Sequence, residues 1–508
     1  MNSVALNIRW LLLVIFPVGW YLSYDLLSSE MEYYLLLTLV AVLSSAFILM
    51  RLRGSIVQHI HLWIIFILYL IGYYVKFYIL CYMKLHFNEY NEYLYAIEMD
   101  LLNDTALIIK YYELVTIVLV SYAIIVAFLR KKRSNIALAT NKPSHLLGPM
   151  HRLNVNGKSV IRLLVFTICL CIFLMYTQIQ LGLGFVSGSE RQMVQLPYRL
   201  AGLIMTIYNG IIPLLFLVAV WLSDTKRTVP LNRLAITLYL FFGIAAGLLS
   251  TSKASLLSVI ISLGVLWLLT GTLTKKRLLL LGVMILPMIQ FNSFLTVNRI
   301  LRSDLGSGIF ETMITAVNYF ISQVIDLPGY EDAFQRTITY LGPVMRINGA
   351  DSLLNILNYN PSFSFKRIGH LLFESTSAVN DLYSTDVLGY NIDRDVAFSP
   401  SLLGYFVFVF SNTGFVCLAM AIYTLFWHFL FSIILNARFF VKPIALALLI
   451  VILGHYTSEG TLEAMPRSIA IVMATVICAE LGLRFFLGTA TLRSFLVSHN
   501  KIATKHHL

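Results

Sequence analysis

Apolar runs long enough to cross a bilayer recur along nearly the whole chain, and they restrict the fold more than any motif does. A helix rises about 1.5 Å per residue, so roughly 20 apolar residues are needed to cross a hydrocarbon core about 30 Å thick. Runs of that kind lie near 10–26, 32–50, 61–82, 108–129, 162–180, 200–222, 234–250, 254–271, 278–295, 413–434, 443–456 and 467–488. They predict an all-α polytopic membrane protein with about 12 transmembrane helices. The stretch 234–271 is too long for a single crossing even with tilt, which places a turn at Ser250-Thr251-Ser252-Lys253. The run at 443–456 is the shortest. Arg9 precedes the first run, but Val18-Gly19-Trp20-Tyr21 offers no small-residue cleavage site. That run therefore reads as a spanning helix and not as a signal peptide.

Loop charges test this division independently, because Lys and Arg near helix ends concentrate on the cytoplasmic side. One set of alternate loops carries Arg51 and Arg53, the run Arg130-Lys131-Lys132-Arg133, Lys226-Arg227, Lys275-Lys276-Arg277, and Arg438 with Lys442. The other set holds nearly all the acids: Asp25 and Glu30, then Glu89, Glu92, Glu98, Asp100 and Asp104, then Glu190 and most of those after Asp304. The two sets never exchange sides. Both termini are thus expected in the cytoplasm, and the tail 491–508 with them. The same rule accounts for the net charge of +12, so nucleic acid is not an expected partner. The charged fraction is only 12%, against about 25% in soluble domains. All five cysteines fall in or beside apolar runs, with no disulfide framework or zinc-ligand spacing.

One long stretch has ordinary soluble composition, and it is the only place with room for a sizeable extramembrane element. It divides the chain into a membrane domain over 1–295, a large outer loop over 296–412 between the ninth and tenth spans, and a second membrane domain over 413–490. In a bacterium that outer side is the periplasm. Within the loop, Ile309–Ile325, Ser352–Leu357 and Phe365–Phe373 read as short helices. Pro361 and the Asp/Asn-rich run Asp381–Asp395 read as loops. Aromatic residues such as Phe363, Phe365 and Phe373 suggest that the loop packs on the membrane surface.

Cations on the outer side are informative because the charge rule disfavours them there. Arg191 follows Ser187-Gly188-Ser189-Glu190, Lys253 occupies the turn between the seventh and eighth runs, and Arg299 and Arg302 stand three apart at the loop entrance. Guanidinium forks make bidentate, charge-assisted bonds to phosphate oxygens, which suits a diphosphate. The structural alternative is that these cations reach to lipid headgroups or pair with nearby acids. Candidate proton acceptors are fewer. His370 and Glu374 are four apart, as are His455 and Glu459, and Asp393 with Asp395 form a third option. Surface placement for His370, a turn cap for the second pair and a helix N-terminal role for the third are the competing readings. No Walker A sequence, His-Glu-x-x-His, Gly-x-Ser-x-Gly or metal-ligand cluster occurs. ATP-driven transport, metalloprotease activity and a resident metal or cofactor are therefore not expected. The ionisable residues within the runs are Lys76, Lys110, Glu113 and Glu480, too scattered for a proton relay.

The chain resembles the bacterial O-antigen and oligosaccharide-repeat-unit polymerases of the Wzy family, which are related in architecture to O-antigen ligases. The resemblance covers most of the chain as topology and is carried locally by Ser250-Thr251-Ser252-Lys253-Ala254-Ser255, by Arg299-Ile300-Leu301-Arg302, and by Ser399-Pro400-Ser401-Leu402-Leu403-Gly404 with Gly414. Lys253 stands where the family usually has Arg, and the His-Asn element of the ligases is absent, with His370 its nearest substitute. The resemblance implies a GT-C-like membrane glycosyltransferase of lipopolysaccharide biosynthesis in the inner membrane. It would join undecaprenyl-diphosphate-linked oligosaccharides, donor and acceptor both lipid-borne, with a possible chain-length-regulating co-polymerase as partner. Lys253, Arg299, Arg302 and Arg191 would bind the diphosphate, and His370 would serve as base, with Glu374 in reserve. Two alternatives remain: a lipid-linked oligosaccharide flippase or transporter, and a polyprenyl-phosphate-sugar-dependent glycosyltransferase.

Overall fold

A computed structural model of the chain describes residues 29–50, 59–86, 99–132, 157–181, 204, 207–225, 228–250, 254–284, 349–365, 367–369, 378–389, 399–437, 441–460 and 462–487. Among the described residues the regular elements are all helical, as apolar runs in lipid require, since a helix satisfies its own backbone groups. Seven segments among them are long and apolar enough to cross a bilayer: Ile60–Cys81, Thr105–Leu129, Gly157–Gln178, Ile207–Asp224, Val229–Leu248, Thr413–Asn436 and Leu462–Gly482. The chain is a multi-pass, all-α membrane protein. The expected first run at 10–26 and the expected helix Ile309–Ile325 lie outside the described residues.

The helices fall into two compact units. In the first, α1 (Ser29–Met50) packs along α4 (Thr105–Lys132). Between them in sequence, α2 (Ile60–Tyr69) runs through a π-helical turn at Leu70–Val75 into α3 (Lys76–His86). The face of α4 bearing Tyr111, Val115, Val118 and Tyr122 is buried, whereas Ile117, Val120, Ile124 and Phe128 on the other side are exposed. Both faces are apolar, as a helix packed on protein and bathed in lipid must be.

The second unit is built on α5 (Gly157–Leu181), α6 (Ile212–Thr225), α7 (Val229–Ser250) and α8 (Ala254–Leu269), with α6 packed on α5 and α7, and α7 on α8. α7 ends at Ser250 and α8 starts at Ala254, which divides 234–271 where the length argument requires. A further helix follows over 275–284. Its Arg277 grips Asp224 at the end of α6 through two bonds of 2.8 and 2.5 Å, with its guanidinium over the Trp267 ring. One member of the basic loop run is thus committed to structure.

From Pro343 onward, the long stretch between the ninth and tenth expected spans belongs to the first unit. α9 (Ala350–Tyr359) contains the expected helix over 352–357 and extends it at both ends. Asn360 closes it in the left-handed conformation, and Pro361 prevents continuation. α9 packs against α3, α4 and the later α11 (Leu402–Phe410), and every residue from Ala350 to Leu357 is buried. The expected loop over Asp381–Asp395 is corrected in its first part. α10 (Ala378–Leu382) continues into a π-helical turn at Tyr383–Val387. Val379 and Tyr383, four apart, are both buried there, and that anchoring outweighs the turn preference of the Asp and Asn residues. Residues 390–398 lie outside the described residues. α11 is wholly apolar, nine residues long and about 14 Å in length, less than half a bilayer. Ser401 caps its start and the left-handed Ser411 ends it.

Three helices follow: α12 (Thr413–Asn436), α13 (Lys442–Glu459) and α14 (Met465–Leu487). α13 is 18 residues long, longer than the apolar run 443–456 alone suggested. Glu480 on α14, one of the scattered ionisable residues, accepts the Val441 N–H at 3.1 Å.

Candidate functional site

The residues expected to carry chemistry, His370 and Glu374 as base and Lys253, Arg299, Arg302 and Arg191 as diphosphate ligands, all lie outside the described residues, as do Asp393 and Asp395. What is described is a polar seam on which the flanking segment Ser399-Pro400-Ser401-Leu402-Leu403-Gly404 rests, within the first unit.

Tyr73 is at its centre. A π-helical turn displaces the regular i to i−4 ladder, and here the Tyr111 hydroxyl takes up the Tyr73 carbonyl. The Tyr73 side chain meanwhile reaches α11: its hydroxyl donates to Ser401 Oγ at 3.1 Å and accepts the Leu403 N–H at 2.8 Å. Ser401 Oγ in turn accepts from the Gly404 N–H at 3.3 Å. Tyr73→Phe therefore strands the buried Leu403 N–H and is expected to cost about 1–3 kcal/mol. A lowered midpoint of thermal unfolding in detergent would register that loss, whereas Tyr78→Phe on α3 provides a comparison that leaves α11 untouched.

One turn further, Lys76 ion-pairs with Asp351 on α9 at 2.7 Å, with side-chain exposures of 0% and 9%. Asp351 also accepts the Gly349 N–H at 3.2 Å, and an acid in the first turn is favoured by the helix dipole. Gly349 itself sits against the Gly72 carbonyl so closely that a Cβ would come within 2.0 Å of that oxygen. Ser352 on the same helix donates to the Ser399 carbonyl at 3.3 Å.

The far side of the seam is made by the link from α13 to α14. Gly460, at φ +74°, lies against the Ser401 carbonyl. Glu463 Oε1, from a short turn in that link, accepts the Val379 N–H at 3.0 Å and so caps the start of α10. Burial pushes the phenols of Tyr383 and Tyr405 well above the ordinary range, so both remain neutral. Just before Gly460, His455 Nδ1 stands 3.5 Å from Glu459 Oε1, each side chain close to half exposed. A carboxylate holding Nδ1 leaves Nε2 as the proton-accepting atom. This second of the sequence-derived pairs is thus formed and solvent-accessible.

Arg367 is spoken for: its guanidinium stacks 4.3 Å from the Phe408 ring and donates to the Ser362 and Phe408 carbonyls at 3.1 Å each. Among the described residues no three His, Cys, Asp or Glu side chains gather as metal ligands. Neither a family model, nor a curated protein, nor a solved structure matches the chain. Its chemistry therefore has to be read from its own residues. Lys76 was visible as an isolated charge in an apolar run, but its partner was not. Asp351 sits far along the chain in a stretch of soluble composition, and no local pattern pairs the two.

Proposed function

We propose that the chain is an O-antigen polymerase. It would join undecaprenyl-diphosphate-linked oligosaccharide repeat units at the periplasmic face of the bacterial inner membrane, on a GT-C-like frame of about twelve spans with both termini cytoplasmic. The observation that carries this reading is the docking of α9, from the one long stretch of soluble composition, into the spanning helices through Lys76 and Asp351. A segment held in that way can form a roof at the bilayer surface, where a lipid-linked sugar presents its diphosphate. Lys253, Arg299, Arg302 and Arg191 are the cations assigned to that diphosphate.

In the proposed transfer, a hydroxyl at the non-reducing end of the acceptor repeat attacks the anomeric carbon of the donor glycan. The new glycosidic C–O bond forms as the bond to the lipid diphosphate breaks, and the electron pair leaves on the diphosphate oxygen. The cations stabilise that developing charge. His370 takes the hydroxyl proton, with Glu374 as the reserve base. Neither a metal nor a cofactor is required. A co-polymerase that sets chain length is the proposed protein partner.

The transport reading is less well supported. A flippase coupled to ion movement needs intramembrane charges free to change partners, whereas Lys76 is bound to Asp351, Lys110 to Asn360 at 3.0 Å, and Glu480 to the Val441 N–H. Deletion of the gene in its host decides the matter. Lipopolysaccharide core bearing a single repeat is the polymerase outcome, and loss of every repeat is the flippase outcome. Arg299→Ala and Arg302→Ala are each expected to reproduce the single-repeat pattern, and normal ladders in both would remove them from the site. His370→Ala should do the same. If His455→Ala does so instead, the base is the pair on α13.

A further inference from the structure

Among the described residues the seam holds two buried carboxyls, and only one of them meets a cation. Asp351 has Lys76 against it. Glu463 is 7% exposed, and none of the ion pairs among the described residues includes it. Its Oε1 accepts the Val379 N–H, whereas its Oε2 is buried and makes no hydrogen bond. The ionisable groups that act on it are Tyr405 on α11 and Asp381 on α10. The Tyr405 hydroxyl, on a fully buried residue, likewise has no partner at bonding geometry. His455 and Glu459 on α13 pair with each other. An ionised carboxyl kept from water needs a counter-charge and donors to its oxygens, and without them it takes up a proton. A metal ion is poorly served here, because among the described residues no three acids or histidines gather as ligands. A proton on Oε2 removes the charge and turns an unused acceptor into a donor toward the Tyr405 oxygen.

We propose that Glu463 is a neutral carboxylic acid in the folded chain, and that its ionisation unlatches α10 from the α13–α14 link. Once ionised, the side chain is drawn toward water and the Val379 N–H loses its acceptor. Asp381, exposed two residues beyond Val379, adds repulsion in the same direction. Because α10 belongs to the stretch of soluble composition, the latch makes the hold on part of that stretch depend on pH. The sign follows from linkage. A glutamate in the unfolded chain ionises at about pH 4.3. A carboxyl that the fold keeps neutral therefore contributes a hold that is complete below that value and is lost as pH rises through its folded value. All the residues involved belong to the first unit, and the inference stands whether or not the chain is a polymerase.

The test is infrared spectroscopy of the full-length chain in detergent, paired with hydrogen exchange. At about pH 7, where ordinary carboxyls are ionised, wild type is expected to show the carbonyl stretch of a protonated acid, and that band should vanish as pH rises. Glu463→Gln should lack the band at every pH. Tyr405→Phe, which leaves the carboxyl in place, should keep it at a shifted frequency. Exchange over residues 378–387 reads the latch itself. Relative to Glu463→Gln, which retains an acceptor for Val379 and cannot ionise, wild type should lose protection about tenfold over the first pH unit above the point where the band vanishes. Absence of the band from wild type at about pH 7 overturns the proposal, and so does a ratio of protection between the two proteins that stays constant with pH. Protection gained on adding millimolar sodium or calcium also overturns it, because a cation and not a proton would then neutralise Glu463.

Discussion

Lys76→Met is expected to destabilise the first unit by about 3–5 kcal/mol, the range for removing one partner of a buried ion pair. The lysine side chain is wholly inaccessible and that of Asp351 nearly so, so neither water nor counterions can replace the lost partner. Asp351→Leu should cost a similar amount by stranding the ammonium. The double variant is the informative one. Replacing a whole buried pair by apolar groups of similar size is often neutral, so Lys76→Met with Asp351→Leu should recover most of the loss. Its Asp351 component also removes the acceptor of the Gly349 N–H, which limits recovery by about 1 kcal/mol. Thermal unfolding of the four proteins in one detergent gives the coupling energy directly. Additive losses would mean that the pair does not act as a unit, and the docking of α9 would then rest on its apolar face alone. If the polymerase reading holds, the single variants should also shorten the glycan ladder while the double variant lengthens it again.

Seven of the expected spanning helices were legible because hydrocarbon imposes one rule on every position: an apolar run of sufficient length becomes a helix. The turn near Ser250 followed from length alone, and Pro361 was read as loop, as found where α9 ends. Three kinds of feature were not legible. The first is pairing across sequence, as between Lys76 and Asp351 or between Glu463 and the start of α10, where no local pattern names the partner. The second is departure from regular helix within an apolar run. The sequence Leu70-Ile71-Gly72-Tyr73-Tyr74-Val75 reads as ordinary helix, and its π-helical turn is supported by the Tyr111 hydroxyl from another element. The third is α11, where Leu402–Phe410 is apolar enough for a span but too short, and its burial depends on α9 beside it. Of the site, the Ser399–Gly404 segment was singled out by its Pro and Gly, and the structure adds what holds it: Tyr73, Ser352 and Gly460.

The largest effects of all are expected at two glycines of that same seam. Gly349→Ala places a Cβ 2.0 Å from the Gly72 oxygen and 2.5 Å from its carbonyl carbon. These are backbone atoms, so no rotamer change relieves the clash, and α9 must move off the π-helical turn to make room. Gly460→Ala combines two penalties. Its φ of +74° costs any residue with a Cβ about 1–2 kcal/mol, and the new atom meets the Ser401 oxygen at 2.2 Å. Two comparison variants separate the causes. Gly389 has φ +68° with nothing within 4 Å, so Gly389→Ala carries the conformational cost alone. Gly282, within the helix over 275–284, also has open space, and Gly282→Ala should stabilise by about 0.5–1 kcal/mol through helix preference. The expected order of stabilities is thus Gly282→Ala above wild type, then Gly389→Ala below it, with Gly460→Ala and Gly349→Ala lowest, each more than about 3 kcal/mol less stable than wild type, and unfolding midpoints in one detergent should follow that order. A Gly460→Ala protein no less stable than Gly389→Ala would show that the α13–α14 link does not press on Ser401. The seam would then be held from the Tyr73 side only, and His455 with Glu459 would lose their fixed position beside it.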